Sequence, residues 1–409
     1  MTQPPSTTQL PSTTQPDEAQ PDQAQPVVLE ARNVTKHFEV RSKEGVRVVR
    51  AVENVDLELH RGEIVAMVGE SGSGKTTVAR MLSLYYPVTE GEILLHGKPM
   101  TTVSGAAAKD YYAQVQLLFQ DPFASLNSLK SIRHILSRAV KIHSPKLGKK
   151  AIEQKVIELL DKVALTPSEQ YIDKFPHELS GGQRQRIVIA RALAVEPSVM
   201  LGDEPISMLD VSIRLDVLNL LTKLRDEDGV ALLYITHDIA SARYIADRIN
   251  VMYAGEMVEG GPSEAVIHTP QHPYTRLLLD SSPNPDRGID ADQTSLFDEV
   301  GDLGEPPSLI EPPSGCRFNP RCPFAMQVCT TTKPERTEVA PGHWSRCHLH
   351  THGGAEQLRQ ETIQFGVPVA AVEAELEQTL ETSQAVRAAE NQIIVTESET
   401  TSQFGGPQP

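Results

Sequence analysis

Gly69-Glu70-Ser71-Gly72-Ser73-Gly74-Lys75-Thr76 decides the fold of this 409-residue chain. The octapeptide fits G-x-x-x-x-G-K-[ST], a pattern whose weight depends on what flanks it. Glu63-Ile64-Val65-Ala66-Met67-Val68, just before it, has the apolar run of a central strand, and Thr77–Leu84 after it predicts a helix. Glycines let such a loop curl so that successive backbone N–H groups point at phosphate oxygens. The following helix adds the positive end of its dipole. Lys75 would bridge the β- and γ-phosphates of a nucleotide, and the Thr76 hydroxyl would ligate Mg²⁺. The cradle predicted for ATP is thus Gly69, Glu70, Ser71, Gly72, Ser73, Gly74, Lys75, Thr76 and Thr77.

A phosphate loop needs an acid at the end of a second buried strand. Val199-Met200-Leu201-Gly202-Asp203-Glu204 supplies one. Asp203 is expected to hold Mg²⁺, and Glu204 sits where a general base could polarise the attacking water. Outward from these motifs, Val27–Val34 alternates like a strand, and a strand pair is expected over Val46–Val52 and Val55–His60. Residues 151–165 carry Ile152, Val156, Leu159, Leu160 and Val163 at helical spacing. Buried strands are expected at Ser198–Leu201 and Val230–Thr236, each after a helical stretch, which predicts an α/β fold with a mainly parallel sheet.

Net charge is −16, and the two ends of the chain, residues 1–26 and 352–409, hold −10 of it. A nucleic-acid binder would show a basic face, so that class is excluded as a primary partner. No run of 18 apolar residues occurs, and the first residues, MTQPPSTTQLPSTTQP, do not read as a signal peptide. A cytosolic location is expected, with any membrane role exercised through a partner. Residues 1–26 are Gln-, Pro- and Thr-rich and predicted disordered. The catalytic domain is expected over 27–262, a small irregular Pro-rich module over 263–350, and an acidic disordered tail over 351–409, in which 369–390 could form at most a weak helix.

Leu179-Ser180-Gly181-Gly182-Gln183, about 100 residues after the phosphate loop and about 20 before Asp203, resembles the signature of the ABC ATPase family. Small residues and free N–H groups open a helix there, Gln183–Ala194, by the same physics as the phosphate loop. The resemblance implies a P-loop ATPase domain with a helical signature subdomain. It also implies that Ser180, Gly181, Gly182 and Gln183 contact ATP held by the opposite subunit of a dimer. Gln120, in Phe119-Gln120-Asp121-Pro122, matches the glutamine loop that senses Mg²⁺ and the membrane subunit. Asp210, in Ser207-Met208-Leu209-Asp210, matches the loop that crosses the dimer interface, and His237, in Thr236-His237-Asp238, matches the switch histidine. Phe38 is the residue expected to stack on adenine. Gly202, Ile206 and Met208 depart from the commonest pattern without removing a catalytic group.

Phe119–Leu129, FQDPFASLNSL, and Gln271-His272-Pro273-Tyr274-Thr275-Arg276 resemble the oligopeptide/dipeptide importer branch, with Ser128 where proline is usual. The implied assembly has two transmembrane permeases, a sister ATPase in a heterodimer and an extracytoplasmic solute-binding protein, with this chain on the cytoplasmic face of the membrane. Peptide is the expected substrate. Ile239–Tyr244 is similar to members that move oligosaccharides, which stays open as an alternative. A soluble ABC ATPase of translation or DNA repair would fuse two cassettes or insert a coiled coil, and neither is present. A non-catalytic regulatory subunit would lack Glu204 or His237.

Cys316, Cys322, Cys329 and Cys347 are the chain's only cysteines and fall within 32 residues. A cytosolic compartment disfavours two structural disulfides. Without a C-x2-C pair the zinc-ribbon reading is weak, whereas four thiolates at irregular spacing suit a 4Fe-4S cluster, and related importers of this branch carry a matching set. Zinc, with His343, His348, His350 and His352 as spare ligands, and plain thiols stay open.

Overall fold

The computed structural model describes residues 25–43, 45–100, 104–281 and 304–351. The expectations of disorder at 1–24 and 352–409, of a weak helix at 369–390 and of His352 as a ligand lie outside the described residues.

β1 (Val27–Ser42) and β2 (Gly45–His60) pair as a long antiparallel hairpin. One strand therefore stands where the sequence reading expected two. Asn54 explains the difference: it adopts φ 49°, and the register opposite Val34 and Lys36 shifts there before pairing resumes. Asn tolerates that left-handed conformation, so the break becomes a bulge rather than a turn. β3 (Ile64–Val68) runs into the phosphate loop and then α1 (Lys75–Leu82), which stops short of Leu84 because that residue turns to φ 56°. β4 (Glu90–Leu95) and β5 (Lys98–Pro99) return to the hairpin, completing a sheet of order β2-β1-β4-β5.

α2 (Gly105–Gln114) and β6 (Val115–Leu118) precede a helical run: α3 (Pro122–Ser125), α4 (Ile132–His143), α5 (Lys149–Lys162) and α6 (Gly181–Leu193). β7 (Val199–Asp203), α7 (Val211–Asp228), β8 (Ala231–Thr236), α8 (Ile239–Ile245), β9 (Arg248–Tyr253) and β10 (Glu256–Pro262) complete the alternation. After them come α9 (Ser263–His268), α10 (Pro273–Asp280), α11 (Gln327–Thr331), β11 (Thr337–Ala340) and β12 (His343–Ser345).

The second sheet has the order β11-β12-β10-β9-β3-β8-β7-β6. β9, β3, β8, β7 and β6 are parallel, and β10, β12 and β11 join antiparallel at one edge. Parallel strands are covered on both faces, which is why β3, β7 and β8 are apolar and fully buried. Their side chains divide with period two. Ile64, Ala66 and Val68 enter the cluster that also holds Leu136, Val156, Leu160 and Ile187 of the helical run. Val65 and Met67 enter the opposite cluster with Val55, Leu57 and Leu82. The helical run thus shares the core of the main sheet.

β11 and β12 tie the cysteine-bearing segment to the main sheet. Their anchor is Glu259 of β10, which has no exposed surface. Its carboxylate accepts from the backbone N–H groups of Gln271 and His272, both at 2.8 Å, and meets Nε2 of His343 at 2.7 Å. Burial alone would raise its pKa. His343, with the Thr275 hydroxyl and the Gln271 N–H, outweighs that and holds Glu259 below the usual carboxylate range.

Candidate functional site

The phosphate loop leaves the C-terminal end of β3, between β8 and β9, where open α/β sheets receive ligands. Gly69 is required by contact: a Cβ there would stand 2.1 Å from the Met252 carbonyl oxygen of β9. Lys75 is buried, and its Nζ donates to the Gly69 and Glu70 carbonyls at 2.7 and 2.8 Å and to the Ser73 hydroxyl at 3.3 Å. Burial pushes this ammonium below its usual value, opposed by the carboxylates of Glu204, Asp203 and Glu70.

The expected Mg²⁺ pair is assembled. The Thr76 hydroxyl donates to Oδ1 of Asp203 at 2.9 Å across 127 residues of sequence. Burial raises the Asp203 pKa, with the Thr76 hydroxyl and the Arg80 charge acting against it. Two adjacent oxygen donors next to a phosphate cradle suit Mg²⁺, which prefers one or two protein oxygens alongside phosphate.

The three catalytic candidates converge as well. Oε2 of Glu204 accepts from Nε2 of Gln120 at 2.9 Å, and Oε1 lies 3.1 Å from Nδ1 of His237. Glu204 follows β7 with φ 49°, its N–H bonded to the Ile235 carbonyl of β8. A glutamate held in the left-handed region is strained, and such strain collects at functional sites. Phe38 is half-buried and meets Tyr86 edge-on with centroids 5.3 Å apart, while Lys36 Nζ lies 5.0 Å from its ring centre.

Ser180 and Gln183 form a capping box at the start of α6: the Gln183 N–H donates to Ser180 Oγ at 3.3 Å, and Gln183 Oε1 accepts from the Ser180 N–H at 3.0 Å. Gly182 lies against α7, where a Cβ would stand 2.3 Å from Cγ2 of Ile213. Asp210 stands at the N-cap position of α7 without a side-chain cap bond, and the Ser207 hydroxyl in the same loop donates to the Glu204 carbonyl at 3.0 Å. The signature-like segment thus packs on the loop that follows Glu204. Among the described residues its polar contacts are with its own segment, none with the phosphate loop.

Cys316, Cys322, Cys329 and Cys347 line one small cavity with Phe318, Phe324 and Met326, and none is in a disulfide. Burial raises the thiol pKa of Cys316 to about 12 and pushes those of Cys322 and Cys347 well above the usual thiol value. Among the described residues no group of three or more His, Cys, Asp or Glu side chains is placed to hold a metal ion. The spare histidines each have a partner at Nε2. Nε2 of His343 serves Glu259, Nε2 of His348 faces the Thr332 carbonyl at 3.0 Å, and Nε2 of His350 faces the Gln271 carbonyl at 2.9 Å.

Sequence reading missed two groups at the phosphate loop. The Glu70 N–H donates to the Tyr274 hydroxyl at 2.8 Å, and the Glu70 carboxylate accepts from Nη1 of Arg321 at 3.0 and 3.1 Å. Tyr274 lies in a stretch singled out only for its resemblance, and Arg321 carries no local signal.

The ABC transporter family model matches residues 52–207, and the model of the oligopeptide/dipeptide transporter C-terminal region matches 258–329. A putative oligopeptide transport ATP-binding protein, YkfD of Bacillus subtilis, is 40% identical over 330 residues, covering 81% of this chain and 98% of the relative. The oligopeptide transport ATP-binding protein OppF of Escherichia coli is 40% identical over 313 residues, 75% of this chain and 92% of its own. Among solved structures, the bacterial ABC transporter cassette MJ0796 in its dimeric form superposes with a TM-score of 0.51 at 29% identity, over 57% of this chain and 98% of that one. The CbiO1 subunit of a Clostridium perfringens ABC transporter gives 0.53 at 27%, over 60% and 92%.

Proposed function

This chain belongs to the ATP-binding subunits of the ABC transporter family, in the oligopeptide/dipeptide branch, and from that premise we propose that it hydrolyses ATP to power peptide import. The observation that carries the chemistry is the Glu204 carboxylate held between Gln120 and His237 at the end of the strand beside the phosphate loop. In this reading Lys75 leaves its resting carbonyl partners for the β- and γ-phosphates. Thr76 and Asp203 would hold Mg²⁺, which would neutralise charge on the phosphate oxygens, with Gln120 beside them. Glu204 orients and deprotonates the attacking water, and His237 steadies the γ-phosphate end. Phe38 supports the adenine. Ser180–Gln183 and Asp210 serve the site of the opposing subunit, so closure of two subunits completes each site.

We assign 27–262 as the catalytic domain and 263–350 as the C-terminal region. Among the described residues no helix is long and apolar enough to cross a membrane. In this reading attachment at the cytoplasmic face goes through two permease subunits, with a sister ATPase beside this chain and a solute-binding protein on the far side. The oligosaccharide alternative finds no support: the matched C-terminal model and the relatives above are those of peptide transporters. Affinity purification from gently solubilised native membranes should recover two multi-spanning permeases, a second ATPase and a peptide-binding protein. Recovery of ribosomal or DNA-repair partners from the soluble fraction alone would reject the transport reading.

The four thiols are proposed to hold a 4Fe-4S cluster in a structural role. The support is the donor set, four soft ligands lining one small cavity. Anaerobic purification should give a coloured protein with stoichiometric iron and acid-labile sulfide, both lost in a Cys322→Ser variant. Colourless protein containing one zinc per chain would overturn this.

A further inference from the structure

Glu70 is an odd residue to place in a loop that must receive a triphosphate. A carboxylate there repels the ligand unless its charge is neutralised. Arg321 supplies the neutralising charge from 251 positions away. It stands in the tight turn Asn319–Arg321 between Cys316 and Cys322, whose form is held by the Asn319 side-chain amide donating to the Cys316 carbonyl at 2.6 Å. The guanidinium lies over Tyr253 and Phe318, with its carbon 5.8 and 6.0 Å from the two ring centres, and is largely shielded from solvent. Tyr253, Phe318 and Tyr274 pack on one another with centroids 4.5 to 5.5 Å apart, all three fully buried. That aromatic bed fixes where the guanidinium and the Tyr274 hydroxyl point. Glu70 is therefore held twice from the C-terminal region, by its carboxylate and by its N–H.

We propose that Arg321 and Tyr274 are positioning residues for ATP binding: Arg321 cancels the Glu70 charge beside the phosphates, and Tyr274 sets the orientation of the Glu70 peptide, so that the cysteine-bearing region shapes the phosphate loop. This rests on the loop being the nucleotide site. An arginine that only fastened the region to the core would have a different signature. Its loss would harm the protein equally whether or not Glu70 kept its charge. An arginine that cancels charge becomes dispensable once the charge is gone.

The test is equilibrium binding of a fluorescent ATP analogue with Mg²⁺ to the purified full-length chain. Lys75→Ala serves as the control for the site itself. Arg321→Ala should weaken binding about tenfold, the scale of one unmatched charge several ångströms away at partial exposure. Glu70→Gln in the Arg321→Ala background should recover most of that loss. Tyr274→Phe, which removes one hydroxyl from a buried ring, should weaken binding about threefold with little change in melting temperature, and it carries the test if Arg321→Ala does not fold. Wild-type affinity in both Arg321→Ala and Tyr274→Phe would overturn the proposal, as would an Arg321→Ala loss that Glu70→Gln leaves unrepaired. Failure of the wild-type chain to bind, or binding unaffected by Lys75→Ala, would overturn the nucleotide-site reading and the arginine's role with it.

Discussion

Replacing Glu204 by glutamine should lower ATP turnover by roughly 10² to 10⁴, the range a positioned general base contributes, while ATP affinity stays near that of the native chain. The reasoning is geometric. Glutamine has the size of glutamate and can still engage Gln120 and His237, which lie 2.9 and 3.1 Å from the native carboxylate. It cannot take a proton from water. A group that acts only in the transition state lowers kcat without raising KM. The variant should therefore load Mg-ATP and hold the closed two-subunit state, then stall. Steady-state turnover and nucleotide affinity measured on the same preparation decide the matter. Normal turnover would remove Glu204 from the mechanism, and lost affinity would mean that it helps bind nucleotide.

The largest stability effect is expected at Glu259. This carboxylate has no exposed surface and serves three donors from two other segments. Glu259→Ala leaves His343 and the N–H groups of Gln271 and His272 facing a cavity. Breaking a buried pair by removing one partner costs about 3–5 kcal/mol, which lowers the melting midpoint by roughly 10 °C in a domain of this size. The site also makes stability depend on acid. The Glu259 pKa is held below its unfolded value, so its contribution is full above the ordinary glutamate range and is lost as pH falls through the depressed value. His272 is buried and neutral, with its pKa lowered to about 4 chiefly by burial, and burial lowers that of His350 too. Between pH 6.5 and 4 the unfolded chain gains a proton at His272 while the folded chain does not, so stability falls across that window, and the lowered pKa of His350 acts in the same direction. Thermal melts of the native chain from pH 7.5 to 4 should show this decline. Melting of Glu259→Ala within about 1 °C of the native chain at pH 7.5 would reject the anchor role.

The candidate site was legible because its parts are local and their spacing is chemical. A phosphate loop closes within eight residues, a capping box within four, and buried parallel strands announce themselves by unbroken apolar runs. From those, the pairing of Thr76 with Asp203 could be anticipated although 127 residues separate them, because each ends or follows a strand of one sheet. The gathering of Gln120 and His237 about Glu204 came from resemblance, and the geometry agrees with it. What stayed hidden was long-range and polar. Glu259 reads in sequence as one more surface acid, and only its position between β9 and β12 makes it a buried anchor.

The sequence by itself determined the α/β class, the place of the phosphate loop, the strand-end acids and the clustering of four cysteines. Each is written in a short stretch whose backbone geometry or hydropathy has few alternatives. Only the tertiary structure decided that β2 is one bulged strand, that β11 and β12 extend the main sheet, that three histidines have other partners, and that Arg321 and Tyr274 reach Glu70. Contacts across 200 or more residues depend on how the whole core packs, and a polar residue chooses its partner only after that packing has brought the candidates together.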